Sequence, residues 1–141
     1  MSLESARAAV SATFQSEFGS AYPGTPISWE NVRFTQPENS AWVHFAFVMG
    51  DAVRQEAGNT QNYRHFGVIN VTILVPQDTG TKLSTEMVDK VFNILADRQW
   101  STAEGALTTY GAQKISRGNV NSWYTRNVLL EYRYDTSIDR G

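Results

Sequence analysis

Two histidines, His44 and His65, are the side chains of this sequence best suited to proton transfer or metal ligation near neutral pH. Neither has the i, i+4 spacing or the neighbouring carboxylates of a metal pair. His44 lies in the alternating run Trp42-Val43-His44-Phe45-Ala46-Phe47 and reads as a structural imidazole, whereas His65 follows Tyr63 and Arg64 at the return of a polar stretch, where contact with a partner is open to it. No serine sits in a G-x-S-x-G elbow, and Ser84-Thr85 reads as a helix cap. Gly80 is alone in its turn, without the clustered glycines of a phosphate loop. Glu30, Glu38, Asp51 and Glu56 could pair in space for acid–base work, which sequence spacing does not show, and they read instead as solvated surface charge. With no cysteine there is no disulfide, thiolate zinc site or thiol nucleophile. These residues point away from an enzyme and call for no cofactor and no metal.

The elements that carry them are organised around Tyr63 to Leu95. Phe66 to Val75 is almost continuously β-branched or apolar and is closed by Pro76, so it predicts a long strand covered on both faces. After the turn Gln77-Asp78-Thr79-Gly80, Leu83, Met87, Val88, Val91, Phe92, Ile94 and Leu95 fall on one helical face, which must lie on a sheet. Arg98 is placed to complement the carboxyl end of that helix.

Upstream, Ser2 is a candidate cap for a helix with Leu3, Ala6, Val10, Phe14 and Phe18 in register, and Gly19 is placed to end it. Ile27 to Phe34 and Ala41 to Met49 then predict an antiparallel hairpin, with a bulge near Asn31. From Gly50 to Asn62 the apolar pattern lapses, which reads either as an extended hairpin tip or as an interaction loop. Downstream, Ala106–Tyr110 and Gln113–Arg117 read as two short strands. Gly118 to Ser122 turns the chain into a last strand, Trp123 to Tyr134, and a frayed polar tail follows from Asp135.

The order helix, strands, helix, strands predicts a single α+β domain over residues 1–141, an antiparallel or mixed β-sheet with two helices packed on one face. Twelve basic and fourteen acidic residues are interspersed, giving a net charge of −2 and no electrostatic footprint for nucleic acid or an anionic membrane. No segment approaches the ~18 apolar residues of a membrane span. An aromatic content of 12% exceeds what a core of this size needs, so some rings are expected at a partner surface.

Three segments together resemble the phage tail terminator family, in particular its siphophage group. They are Pro26 to Phe34 with Pro37 and Trp42-Val43-His44-Phe45; Tyr63-Arg64-His65-Phe66-Gly67-Val68 through Val75-Pro76 to Gly80-Thr81; and Trp123 to Val128 ending in Tyr132-Arg133-Tyr134-Asp135. The resemblance implies a structural protein of the virion, made in the host bacterial cytoplasm and located at the tail–neck junction. It implies partners of three kinds: copies of itself in a hexameric ring, the tail tube protein, and the head–tail connector proteins. The mechanism is assembly, in which the ring stops tube polymerisation and provides the head-joining surface. Arg54, Gln55, Tyr63, Arg64 and His65 are the expected interface residues, since arginine and tyrosine are favoured anchors. The alternative is a head–tail joining or tail completion protein of the neck, and a further alternative is a small ligand-binding module or enzyme, which requires a concave pocket with convergent polar groups.

Overall fold

A computed structural model describes residues 3–54 and 60–139. The first helix, α1 (Leu3–Ala21), buries Ala6, Val10, Phe14 and Phe18 at intervals of four, one stripe along its length. Its proposed cap Ser2 lies outside the described residues, and Gly19 does not end it. The helix continues to Ala21, because Phe18 and the following Tyr22 pack ring on ring at 5.1 Å beyond the glycine.

Strand β1 (Ile27–Trp29) pairs with β2 (Trp42–Arg54), but parallel to it, Ile27 opposite Val43. The expected hairpin is therefore corrected. Asn31 takes the left-handed conformation at φ 55°, and Val32 N–H donates to the Trp29 carbonyl at 3.3 Å, so the chain turns out of the sheet after three residues. Residues 30–41 then supply the dozen or so residues that a crossover between parallel strands requires. Phe34 packs on Trp42 at 5.1 Å, and Trp42 meets Trp123 edge-on at 6.0 Å, so these rings cluster at one end of the sheet.

The other strands are β3 (Thr60–Pro76), β4 (Gln99–Ser101), β5 (Gly105–Val120) and β6 (Trp123–Asp139), with α2 (Lys82–Leu95) between β3 and β4. Among the described residues one six-stranded sheet has the order β1-β2-β3-β6-β5-β4, antiparallel throughout except for β1. It is the expected α+β arrangement with a mixed sheet. Val43, Phe45 and Phe47 of β2, Ile69, Val71, Ile73 and Val75 of β3, and Val128, Leu130 and Tyr132 of β6 are buried on one face beneath α1 and α2. Leu83, expected on the buried face of α2, is 43% exposed.

The other face of β3 is not covered as expected. Phe66 is exposed, Val68 and Leu74 are only half-buried, and Asn70 and Thr72 receive the two N–H groups of the Asn127 side chain at 3.0 and 2.8 Å. Arg117 in turn donates to Asn127 Oδ1 at 2.6 Å, so a polar ladder crosses three strands on the face of β3 that was expected to be covered.

Three local readings change for one reason, that strand pairing continues wherever a neighbour is present. The two short strands expected around Gly111 are one strand, β5, with a register shift between Thr109 and Ala112. The turn before β6 is only Asn121-Ser122, both left-handed at φ 49° and 73°, the geometry of a two-residue hairpin turn. The expected tail is paired strand, Asp135 opposite Arg64 and Asp139 opposite Thr60.

Ser84 does not cap α2: the N-cap position is Thr81, and the buried Ser84 hydroxyl donates back to the Thr81 carbonyl at 3.1 Å. Arg98 does complement the end of α2, donating to the Ile94 carbonyl at 3.1 Å and to Glu17 of α1 at 2.8 Å.

Candidate assembly surface

The polar stretch Gly50 to Asn62 is built mostly as a continuation of the central hairpin. β2 runs on to Arg54 and β3 begins at Thr60, with Ala52 opposite His65 and Arg54 opposite Tyr63. Gln55 lies outside the described residues, as does the side chain of Arg54. His65 of β3 and Thr136 of β6 are buried, and backbone pairing of the two strands continues beyond them to Thr60 and Asp139.

Of the expected site residues, the structure brings Arg64 into a charged cluster. Its Nε donates to Asp135 Oδ1 at 2.9 Å, and Arg133 Nε lies 3.3 Å from Asp135 Oδ2. The Asp135 carboxylate holds the Arg64 guanidinium above its ordinary pKa. Tyr63, beside Arg64 on β3 and opposite Thr136 of β6, is half-buried. His65 is different: it is 5% exposed, with Nε2 at 3.1 Å from the Thr136 hydroxyl and its ring 5.9 Å from that of Tyr134. That removes its side chain from the surface of the isolated subunit.

Burial pushes the His65 pKa below its ordinary value, with Asp135 pulling the other way. The unfolded chain therefore binds the proton more readily, and the stability held above about pH 6.5 is lost as pH falls through that value toward the lower folded pKa. A urea-unfolding midpoint measured from pH 7.5 to 5.5 should fall further for the wild type than for His65→Gln. Equal slopes would mean that His65 does not carry this dependence.

Around the charged cluster lies an apolar surface that sequence reasoning missed. Val48, Val53, Phe66 and Tyr110 are 40–48% exposed, and Arg133 stacks its guanidinium 5.9 Å from the Tyr110 ring. Gly50, Phe66, Val68, Tyr110 and Glu131 line an open cleft of about 390 Å³ there. Exposed apolar side chains rimmed by charge are the pattern of a protein–protein contact. The signal was present in the parity of β3, where the polar Asn70 and Thr72 share a face with Phe66 and mark it as the side away from the helices.

A larger open groove, about 560 Å³, runs between α1 and β2 and is lined by Glu4, Arg7, Trp29, Glu30 and Phe47 among others. Its charges are engaged with the protein and do not converge on a ligand. Arg7 binds Glu4 through two hydrogen bonds of 2.7 and 2.6 Å, which lowers the Glu4 pKa, and Glu30 accepts Phe47 N–H at 2.7 Å. Among the described residues no group of three histidines, cysteines or carboxylates is placed to hold a metal ion, and no helix is long and apolar enough to cross a membrane.

A family model described as phage tail terminator protein matches residues 6–118. The chain belongs to the phage tail terminator family. The match spans the chain from α1 through most of β5, so the hairpin and the cleft face both lie within the terminator domain or pair directly with it. No curated protein matches the chain. A solved structure 19% identical to this chain covers 95% of it and 96% of its own length with a TM-score of 0.76, a likeness of fold. The protein is thus a phage tail structural protein, and its exposed apolar surface is a candidate for contact with other proteins of the tail.

Proposed function

We propose that this protein assembles as a hexameric ring on the last ring of tail tube protein, stops polymerisation there, and presents its other side to the head–tail connector at the neck. No bond chemistry is involved. The observation that carries the reading is the family match over residues 6–118 together with a hairpin whose strands run to Arg54 and from Thr60 and which is flanked by exposed Val48, Val53 and Phe66. Arg54, Gln55, Tyr63 and Arg64 at that hairpin are the contact residues toward the tube or a neighbouring subunit. His65 serves indirectly, by fixing β3 against β6.

The deciding experiment is electron microscopy of particles made without this protein. Overlong tails support a terminator. Tails of normal length that are detached from heads support the second reading, a head–tail joining or tail completion protein of the neck.

The double variant Arg54→Ala/Arg64→Ala tests the contact residues. The Arg64–Asp135 pair is partly exposed, at 33% and 42%, and screened by water, so its loss should leave the melting temperature close to that of the wild type. Truncating two interface anchors at about 2 kcal/mol each should weaken tube binding by two orders of magnitude or more. A complementation titre equal to wild type would show that these arginines are not the contact.

A further inference from the structure

A cyclic ring closes when two unlike patches of each subunit fit one another. Two such patches are present, each centred on a charged side chain that finds no counter-charge within its own subunit. The first is Glu131, exposed on β6 opposite Val68 of β3, on the sheet face away from the helices. Glu131 and Val68 line both the cleft of about 390 Å³ beside Phe66 and Tyr110 and an adjoining cleft of about 330 Å³ beside Gly111 and Leu129. The cations nearest to it in the sheet are held elsewhere. Arg64 and Arg133 both turn to Asp135, at 2.9 and 3.3 Å, and Lys114 reaches Asp89 of α2 at 3.4 Å. Among the described residues the Glu131 side chain makes no hydrogen bond and no ion pair. A carboxylate between two clefts with apolar walls is thus left to receive a cation from another molecule.

The second patch follows β1, the edge strand beside β2. After Trp29 the chain leaves the sheet through left-handed Asn31, and Val32 N–H donates to the Trp29 carbonyl at 3.3 Å. That turn presents Val32 and Arg33 in succession at the surface. Val32 is 58% exposed, the highest value for a large apolar side chain among the described residues. Arg33 is exposed as well, and among the described residues its side chain makes no hydrogen bond and no ion pair. An apolar side chain beside a free guanidinium is the complement of a carboxylate between clefts walled by Phe66, Tyr110 and Leu129.

We propose that the turn after β1 in one subunit docks on the bare sheet face of the next, with Val32 in the cleft beside Phe66 and Tyr110 and the Arg33 guanidinium on Glu131. This rests on the ring reading above and names its contact. Neither charge gives up an ion pair within its own subunit to make this one. The two patches belong to different parts of the sheet: β1 is at one edge, and β6 lies three strands further in, about 14 Å away at ~4.8 Å per strand. The contact therefore runs head to tail, the sense in which copies close a ring. Lys82 and Leu83 at the start of α2 are a second exposed pair of this kind. Interfaces favour arginine over lysine, and Leu83 at 43% is less exposed than Val32, so the turn after β1 is the better fit.

Charge reversal tests the pair. Arg33→Glu and Glu131→Arg are each checked for wild-type melting and assembled alone and on tail tubes, with the mass of the product read by sedimentation. Each reversal sets like charges together at every contact and should weaken assembly about a hundredfold. Mixing the two single variants should restore it, because alternating copies again join opposite signs at each contact, and the chain carrying both reversals should assemble by itself. Wild-type assembly of either single variant, or failure of the mixture to recover, overturns this contact and leaves the ring reading standing. So does a loss on Lys82→Glu with none on Arg33→Glu, which would assign the contact to α2. Where a reversal lowers the melting temperature, Arg33→Gln and Glu131→Gln take its place; their combined loss should be smaller than the sum of the single losses, and strict additivity overturns the pairing. Absence of any assembly by the wild type, alone and on tube ends, overturns both readings.

Discussion

Phe14→Ala should cost about 3–5 kcal/mol of unfolding free energy, the range for emptying a buried aromatic site, and lower the melting temperature by roughly 10–20 °C. Phe14 is wholly buried and central to the contact between α1 and the sheet. Its ring stacks on Phe18 at 5.0 Å, lies 5.1 Å from Phe45 of β2 and meets Trp29 of β1 edge-on at 6.3 Å. Those neighbours belong to three elements, and the loss of one ring leaves a void that none of them can fill without moving a backbone. Phe14→Leu keeps most of the volume and should lose only a small part of this. Thermal and urea unfolding read both variants. A loss under 1 kcal/mol for Phe14→Ala would mean that α1 does not dock where it is described.

Gly67→Ala should cost about 2–4 kcal/mol, from overpacking and one lost hydrogen bond. A Cβ at Gly67 overlaps the Val48 carbonyl oxygen and the Tyr132 ring, which crosses the glycine from β6 to donate its hydroxyl to that same carbonyl at 3.2 Å. Tyr132 is 1% exposed and stacks on Phe47 at 4.7 Å, and its burial pushes the phenol pKa up to about 12. The side chain must therefore stay put and protonated, and only glycine leaves it room. Because both substitutions act on one contact, Gly67→Ala/Tyr132→Ala should lose measurably less than the sum of the single losses. Strict additivity in a double-mutant cycle would show that the two residues do not share a site. The effect bears on assembly too, since Gly67 lies between the core and the exposed hairpin end of β3.

Much of this architecture was legible in residue order. Repeats of four placed the buried stripe of α1, the broad apolar face of residues 83–95 placed α2, and the β-branched run ending at Pro76 placed β3. These signals are local: each depends on neighbours within a turn or two of chain. The family resemblance was likewise legible, because it lay in three segments whose order the chain preserves, and the family match covers most of them.

What escaped was decided by partners distant in sequence. Polar residues from Gly50 onward and from Asp135 onward carry no strand signal of their own, yet β2, β3 and β6 offer one another backbone donors and acceptors there, and Arg64 finds Asp135 seventy-one positions away. The parallel sense of β1 depended on how residues 30–41 leave the sheet. Which half of an apolar strand stays exposed followed from where two helices lie, and they cover one face. Short-range periodicity reports which residues need burial; the pairing of whole strands settles which groups remain available to another molecule, because hydrogen bonds in a sheet join residues that the chain keeps far apart.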